Sequence, residues 1–449
     1  MQIPRLVTDL KRSLRLMDGL AMVVGIMVGS GIFRTPGLVA AQLGRPWLTL
    51  VAWLLGGALA LLGALCFAEL ATRHPRAGGK YVYVREAFGR RAGLLVGVVE
   101  GLAIYTTAIA ALGVTSAEFL GRLSGAGGAL TPWLGSGFVA LLTAVNLFGV
   151  ASGRWVQNLI TGAKVLALGG VVAIAFAKGT GAGWHSELAG APQGLALWAA
   201  LGVAAQPVIW TYYGYPEAAK IAEEVVDPEH TLPRVFLGGI AIAGVLYLLL
   251  NAAFLHVLPL RQIAGSKLVA ADVASAIVGT SGGAVVAALA LLVVLASLNG
   301  NVFVTPRVLF GLARDRLAPS VLARVNAGGS PWVAMLVVGV VAIALAATGT
   351  FELLIGLAIV LILVIDGLAV VALIRLRARE RAAPFRVPWY PVVPLMLLVV
   401  YGALLLGTAW AQPQVVGWAL VELAVAYAAA LATVARPPAD RESPGLAPG

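Results

Sequence analysis

Twelve stretches of about 20 predominantly apolar residues follow one another along this 449-residue chain. As an α-helix, each is long enough to cross a hydrocarbon core of about 30 Å. The composition agrees, because 60% of the residues are hydrophobic and only 11% are charged. We therefore predict an all-α polytopic membrane protein. Its twelve transmembrane helices are expected at about 19–42, 48–72, 88–120, 132–150, 155–177, 196–224, 232–257, 283–316, 331–348, 353–378, 391–410 and 415–434.

The positive charges alternate between the two sides of this predicted bundle. With the N-terminus in the cytoplasm, 24 of the 31 lysines and arginines fall in inner segments, Lys80 and Lys220 among them, and five fall in outer ones. This bias is the positive-inside pattern, and it holds only for an even number of spans. We expect a multi-pass protein of the inner (cytoplasmic) membrane with both termini cytoplasmic. Because the charge follows topology, the net charge of +11 does not indicate a nucleic-acid partner.

The ends of the chain and its cysteine and histidines add further expectations. Residues 1–18 form a basic cytoplasmic segment, residues 19–435 form one membrane domain, and residues 436–449 form a disordered tail rich in proline and charge. Cys66 is the one cysteine, so no internal disulfide and no disulfide-linked partner subunit are expected. The four histidines are isolated, and we therefore predict no metal site and no cofactor.

Two of the apolar stretches are interrupted. The first contains GIMVGSGIFRTP at residues 25–36, and the sixth contains Gly214 and Pro216. In hydrocarbon, unwound backbone is tolerated only where it is buried in protein or lines a cavity. For either break alone, close helix packing by glycine or a proline kink is a simple explanation. Broken helices five spans apart are, however, typical of transporters built from two inverted five-helix repeats.

Four segments together resemble a known family. GSGIF lies in the first span, and FAELATRHPRAGGKYVYVREAFG joins the second span to the third. YYGYPEAAKIAEEVVDPEHTLPR lies in the sixth, and LNGNVFVTPRVLFGLARDRLAPSVLARVN in the eighth. These segments resemble amino-acid permeases of the amino acid–polyamine–organocation superfamily, in particular L-type amino-acid transporters and their bacterial relatives. The resemblance covers roughly residues 15–435.

This resemblance implies a LeuT-like fold and a function. Repeat one then spans about 19–177 and repeat two about 196–378, with helices 11 and 12 at about 391–434. The implied activity is secondary active transport of neutral amino acids by alternating access, as sodium-independent exchange or proton-coupled uptake. The implied partners are an amino-acid substrate and the lipid bilayer, and the protein is expected to be a monomer or homodimer.

The same resemblance assigns the substrate site to the two breaks. It places the substrate carboxylate on backbone amides of the first break, where free N–H groups at the start of a half-helix form an anion site. It places the amino group on carbonyls that the breaks leave without helical partners. Tyr215 and Pro216 replace tryptophan and asparagine of the L-type members, so their substrate preference does not carry over. The implied substrate-binding set is Met27, Gly29, Ser30, Gly31, Ile32, Trp210, Tyr213, Gly214, Tyr215 and Asn301.

Four residues are candidates for coupling or gating. Trp210 corresponds to the aromatic gate of the family, although as an isolated residue it would be an ordinary core aromatic. Lys164 lies deep in the fifth span, where a lysine is costly. The resemblance implies that its ammonium replaces a sodium ion, and the alternative is a structural lysine bonded to carbonyls of the first break. Glu100 and Asp366 interrupt apolar runs and are expected to pair, take protons or face water.

Other functions fit this sequence less well. A polyamine or other organic-cation carrier of the same superfamily would be expected to place several carboxylates around the site, and the two breaks contribute only Glu217. A membrane-embedded enzyme would need a reactive cluster, and a channel would show currents far above carrier rates. No GxxxxGK[ST] motif is present, so the chain carries no ATP-binding loop of that type. We therefore predict a transporter and not an enzyme.

Overall fold

The computed structural model describes residues 10–29, 31–124, 130–266, 268–279, 282–348, 351–380, 382–411 and 413–434. These residues form helices joined by short connections, and one isolated β-bridge pairs Leu14 with Val225. The all-helical prediction is therefore confirmed for this part of the chain. Ser30 lies outside the described residues, as do residues 1–9 and 435–449 of the predicted terminal segments.

Within the described residues, the first half of the chain contains eight α-helices and a π-helix, a wider helical turn. The π-helix, Val99–Ile104, joins α5 to α6. The α-helices are α1 (Leu16–Met27), α2 (Gly31–Leu43), α3 (Pro46–Arg73), α4 (Lys80–Phe88), α5 (Arg90–Val98), α6 (Tyr105–Ser124), α7 (Thr131–Leu147) and α8 (Val150–Lys178).

The described part of the second half contains ten α-helices and two 3₁₀-helices. The 3₁₀-helices are Tyr215–Glu224 and Ser320–Ala323. The α-helices are α9 (Gly194–Tyr212), α10 (Pro228–Val257), α11 (Leu260–Gly265), α12 (Val269–Val278), α13 (Gly282–Val304), α14 (Pro306–Arg314), α15 (Trp332–Thr348), α16 (Phe351–Arg379), α17 (Val392–Ala411) and α18 (Pro413–Val434).

The lengths and apolar composition of the helices are those of a multi-pass membrane protein. Within the described ranges, eight helices are long and apolar enough to cross a membrane, and the bent pair α1 and α2 makes a ninth if it is one span. Helices α7, α12, α15 and α18 are also apolar but contain shorter qualifying segments. Large apolar side chains such as Leu166, Leu195 and Trp410 are exposed on the outer surface, as expected for a surface that faces lipid. The twelve-span count stays a prediction.

Two interruptions were not expected from the sequence. The third predicted span contains the π-helix Val99–Ile104, which includes Glu100. Short π-helical segments inside longer helices are frequent at functional sites. The eighth predicted span divides at Thr305, and Pro306 begins α14 there because proline has no N–H to donate to the preceding turn.

The interrupted helix α1 lies inside the bundle. It packs against α8, α10 and α13, while α2 packs against α9. Helix α3 packs against α10, and α6 packs against α13. Eight of the twelve residues of α1 are buried, including Gly25, Ile26 and Met27 at its end. The first break is therefore enclosed by protein, which is the condition for unwound backbone at membrane depth.

Candidate functional site

The first helix break is held open by polar side chains of two neighbouring helices. Helices α1 and α2 are bent by 49° relative to each other. The amide of Gly29 donates to Met27 O at 2.9 Å, so Gly25 O loses its helical partner. Lys164 Nζ of α8 donates to Gly25 O and Val28 O at 2.8 and 2.7 Å. Ser297 Oγ of α13 also donates to Gly25 O, at 2.8 Å. The break thus has its carbonyls satisfied from outside its own helix.

The second break faces the first. Helix α9 ends at Tyr212, and the chain continues as the 3₁₀-helix from Tyr215. Between them, Gly214 has φ of +131°, and a Cβ at this position would lie 3.1 Å from the Met27 amide nitrogen. Both the conformation and the close approach therefore require glycine. The Tyr247 hydroxyl lies 2.8 Å from Met27 O and 3.0 Å from Thr211 O, which ties the two breaks together.

A cavity of about 130 Å³ lies between the two breaks. By this measure one water molecule needs about 10 to 15 Å³, so the cavity has room for a small organic molecule. Helix α6 contributes Thr107, Ala108, Ala111, Leu112 and Thr115 to the cavity wall, and these side chains are uncharged and either small or aliphatic.

Seven residues of the predicted substrate-binding set line this cavity: Met27, Gly29, Gly31, Trp210, Tyr213, Gly214 and Asn301. Ile32 is fully buried and is not among the lining residues. The Tyr215 ring packs against Phe67 with ring centroids 6.0 Å apart and lines a separate, smaller cavity with Asp366 and Tyr401. The fold therefore directs Tyr215 away from the main cavity, because successive residues of a tight 3₁₀ turn point in different directions.

The two asparagines of α13 have different surroundings. Asn299 Nδ2 donates to Gln157 Oε1 of α8 at 2.8 Å, and Asn299 Oδ1 accepts from Asn146 of α7 at 2.9 Å. Asn299 therefore joins helices to one another. Asn301 donates to Ser297 O of its own helix at 2.9 Å and lines the cavity.

An aromatic pair separates the cavity from a buried polar region. The rings of Trp210 and Tyr213 are stacked, with centroids 6.2 Å apart and planes inclined by 2°. The Tyr213 hydroxyl accepts a hydrogen bond from Lys80 Nζ at 2.8 Å and donates one to Asp366 Oδ1 at 3.2 Å. Tyr213 thus contacts the cavity on one side and charged groups on the other.

Lys80 joins the two carboxylates that the sequence left without partners. Its ammonium lies 2.7 Å from Asp366 Oδ1 and 3.1 Å from Glu100 Oε1. Gly78 and Gly79 both have positive φ and turn the chain inward immediately before Lys80. Lys80 and Lys220, which the positive-inside count places in inner segments, both have fully buried side chains and are not solvated loop residues.

Glu217 lies at the edge of the cavity with its charge compensated. Its carboxylate accepts hydrogen bonds from the Lys220 ammonium and the Tyr105 hydroxyl. The Lys220 ammonium also lies 3.0 Å from the centroid of the Tyr105 ring. Tyr105 and Glu217 both line the cavity. The one carboxylate that the breaks contribute is therefore paired with a lysine.

Three further glutamates form ion pairs near helix ends. Glu224 pairs with Arg307 through two contacts of 2.7 and 3.0 Å, and both side chains are fully buried. Glu69 pairs with Arg73 at 2.7 Å and with Arg377 at 3.2 Å. Glu223 likewise pairs with Arg314.

The sequence did not identify four residues of the site: Lys80, Tyr105, Tyr247 and Ser297. Lys80 follows the glycine pair Gly78 and Gly79, which is a turn signal, but nothing in the sequence places that turn beneath the cavity. The other three lie within apolar helices, where a serine is as compatible with a bond to its own helix as with a site. A tyrosine there is as compatible with ordinary core packing.

The described fold and cavity define a class of protein, a helical membrane protein with two discontinuous helices around a buried site. The sequence matches the profile of the amino acid permease family over residues 14–431, and the chain belongs to that family.

Individual relatives agree with this assignment. The serine/threonine exchanger SteT of Bacillus subtilis (strain 168) is 29% identical over 395 residues, which cover 87% of this chain and 89% of SteT. The Asc-type amino acid transporter 1 of Mus musculus is 28% identical over 92% of this chain and 79% of its own length. The large neutral amino acids transporter small subunit 2 of Homo sapiens is 28% identical over 91% and 78%, respectively. The resemblance to L-type transporters and their bacterial relatives is therefore confirmed, and the protein is an amino acid permease.

Proposed function

We propose that this permease moves neutral α-amino acids across the cytoplasmic membrane by alternating access, in a LeuT-like bundle of twelve transmembrane helices. The observation that carries the proposal is the pair of helix breaks facing one cavity. Helix α2 begins at Gly31 with its positive dipole end and free amides at the cavity, which favours a carboxylate. Helices α1 and α9 end there with partially negative carbonyls, which favour an ammonium.

Two carbonyls of the proposed ammonium site differ in the partners they already have. Met27 O accepts the Gly29 amide at 2.9 Å and lies 2.8 Å from the Tyr247 hydroxyl, whereas Trp210 O accepts only the Tyr213 amide among the described residues, at 3.0 Å. A carbonyl oxygen has two lone pairs, so Trp210 O retains capacity for a substrate ammonium. The charge pattern thus matches a zwitterion without requiring a charged side chain for either group.

The walls of the cavity support a neutral substrate side chain. Thr107, Ala108, Ala111 and Thr115 are small and uncharged, and Asn301 offers an amide. Glu217 is compensated by Lys220, so the site does not present the uncompensated carboxylates that a polyamine would need. Serine and threonine, the substrates in the name of the relative SteT, are of suitable size.

The proposal includes the topology of the chain, its oligomeric state and its class. We place both termini in the cytoplasm on the positive-inside pattern. Cys66 is buried, which supports a chain that acts without a disulfide-linked partner, as a monomer or homodimer. We assign the chain to the transporters and not to the enzymes, because its named relatives are transporters and exchangers.

We expect uptake to require both the free carboxylate and the free amine of the substrate. Purified protein in proteoliposomes loaded with unlabelled amino acids is expected to accumulate radiolabelled neutral amino acids by exchange. Amino-acid methyl esters and simple amines are expected to compete poorly, since each satisfies only one of the two breaks. Protein-free liposomes provide the background. Equal competition by esters or amines, or uptake of putrescine in preference to amino acids, would contradict the proposal.

We expect transport to be independent of sodium. The Lys164 ammonium, 2.8 and 2.7 Å from two carbonyls of the first break, supports the proposal that it occupies the place of a sodium ion. Replacing sodium with choline on both sides is expected to leave the exchange rate unchanged. A strict requirement for sodium would refute this assignment of Lys164.

A further inference from the structure

Five charged side chains form one buried cluster beside the cavity: Lys80, Glu100, Glu217, Lys220 and Asp366. Each is at most 1% exposed. Lys80 contacts Glu100 and Asp366, and Lys220 contacts Glu217. The Tyr105 hydroxyl connects the two halves, since it lies within hydrogen-bond distance of Lys80 and of Glu217. The Tyr213 hydroxyl contacts Lys80 and Asp366. We call this set the buried charge cluster.

The buried charge cluster contains one more carboxylate than lysines. If all five groups were ionised, two ammonium and three carboxylate groups would leave one net negative charge in a region without solvent exposure. An uncompensated charge is costly in such a place, and a buried acid instead takes up a proton. The charge balance therefore requires one proton on this cluster in the described conformation.

The hydrogen bonds indicate which carboxyl carries that proton. Asp366 accepts from the Tyr213 hydroxyl at 3.2 Å and contacts Lys80 at 2.7 Å. Glu217 accepts from the Tyr105 hydroxyl and from Lys220. Both oxygens of Glu100 are buried without a hydrogen-bond partner among the described residues, although the Lys80 ammonium lies 3.1 Å from Oε1. Because Glu100 has the least stabilised carboxylate, it is the group on which a proton is most favourable.

The other groups around Glu100 do not supply the missing positive charge. Tyr83 of α4 and Tyr105 of α6 face it as neutral phenols, and Lys220 and Glu217 reach it from the 3₁₀-helix. Three other elements packed on the π-helix carry charges. Helix α5 has Arg90 and Arg91 on its exposed surface, and α18 has the partly exposed Glu422. Helix α14 has Arg307 and Arg314, which pair with Glu224 and Glu223.

We propose that Glu100 is a proton-binding site of this permease and that the proton it holds moves together with the substrate. This rests on the function proposed above and identifies the coupling ion. Tyr105 and Tyr213 line the cavity and lie within hydrogen-bond distance of Lys80, which contacts Glu100. Glu217, itself a member of the cluster, also lines the cavity. A substrate that shifts these side chains therefore changes the surroundings of Glu100. The proton comes from water on one side when the cluster is accessible there, and it returns to water on the other side when Glu100 ionises.

The test measures proton coupling separately from exchange. In proteoliposomes, exchange at equal internal and external pH reports the basal transport cycle. Net uptake into liposomes without internal substrate, driven by an inward gradient of about one pH unit with the membrane potential clamped at zero, reports coupling. For one proton per substrate the wild type is expected to accumulate substrate about tenfold. A pH-sensitive dye inside the liposomes is expected to show acidification that depends on added substrate.

Two neutral substitutions locate the proton. Glu100→Gln imitates the protonated acid and is expected to retain exchange while losing gradient-driven accumulation and dye acidification. Asp366→Asn is expected to lose coupling as well. Without the Asp366 carboxylate, the two lysines balance the two remaining carboxylates, so Glu100 stays ionised and binds no proton. The control is Glu118→Gln on α6, whose side chain is 45% exposed and 3.7 Å from Arg34, and it is expected to behave like the wild type.

The failures of the two proposals are distinguishable. Wild-type exchange without any gradient-driven accumulation would overturn the proton site and leave the amino-acid permease intact. Accumulation that persists in Glu100→Gln would also overturn it. If Glu100→Gln does not insert into the membrane, persistence of coupling in Asp366→Asn would overturn it instead. The absence of both exchange and uptake of any amino acid by the wild type would count against the proposed function itself.

Discussion

Replacing Lys164 with alanine is expected to reduce the turnover of amino-acid exchange by about tenfold or more. The ammonium donates to Gly25 O and Val28 O, and no water reaches it, because its side chain is fully buried. A hydrogen bond from a charged group contributes about 1.5 to 3 kcal/mol, and the variant loses two of them at the bend between α1 and α2. A tenfold change in rate corresponds to about 1.4 kcal/mol. The exchange rate therefore falls measurably even if the break rearranges and recovers part of the lost free energy.

The measurement is the initial rate of exchange per inserted protein. Lys178→Ala provides a matched control, because Lys178 ends the same helix α8 and is exposed. The control is expected to retain the wild-type rate. A fully active Lys164→Ala variant would show that Ser297, which also bonds Gly25 O, is sufficient to hold the break and that exchange does not need the lysine.

Substituting Gly31 with valine is expected to abolish substrate binding, with the protein still inserted in the membrane. A Cβ at this position would lie 2.7 Å from Thr211 Oγ1 and 3.0 Å from Thr211 Cγ2. The added side chain therefore forces α2 away from α9 at the wall of the cavity. Gly31 lies within α2, outside the positive-φ glycines, so the requirement is for space beside Thr211 and not for an unusual backbone conformation.

Ligand binding to purified, monodisperse protein by scintillation proximity is the appropriate measurement. Gly170→Val is the control, because a Cβ at Gly170 of α8 meets no atom within 4 Å. The control is expected to bind with wild-type affinity. If Gly31→Val also bound normally, the break between α1 and α2 would not be the substrate site. If both variants lost binding and were obtained in low yield, the loss would come from placing valine in a membrane helix. The result would then not locate the substrate site.

The two breaks illustrate what a local pattern is able to predict. Glycines and a proline inside apolar segments have consequences within a few residues, because they remove side chains or backbone donors that a helix needs. The break after Met27 and the break at Gly214 are therefore visible in the sequence, and the structure confirms both. The π-helix at Glu100 was not expected, because a single glycine such as Gly101 is common inside membrane helices and does not by itself predict an interruption.

Charged residues were harder to place than breaks. Lys80 and Lys220 follow or precede polar segments, and a sequence places such lysines in loops because burying an unpaired ammonium is costly. Whether burial is possible depends on partners far away in the chain: Lys80 is separated from Asp366 by 286 positions along the sequence yet lies 2.7 Å from it. The same holds for Tyr215, which belongs to the second break but points to Phe67 and Tyr401 instead of the main cavity.

The sequence by itself determined that this chain is a helical membrane protein of the permease class with breaks in its first and sixth spans, because hydropathy and backbone chemistry act over short distances. Tertiary structure decided which side chains meet at those breaks: Lys164 and Ser297 on the carbonyls of the first, Tyr247 between the two, and Lys80 between Glu100 and Asp366. These contacts join residues far apart in the chain. They depend on how the helices pack, and packing is set by the shapes of whole helix faces and not by the identity of any one residue.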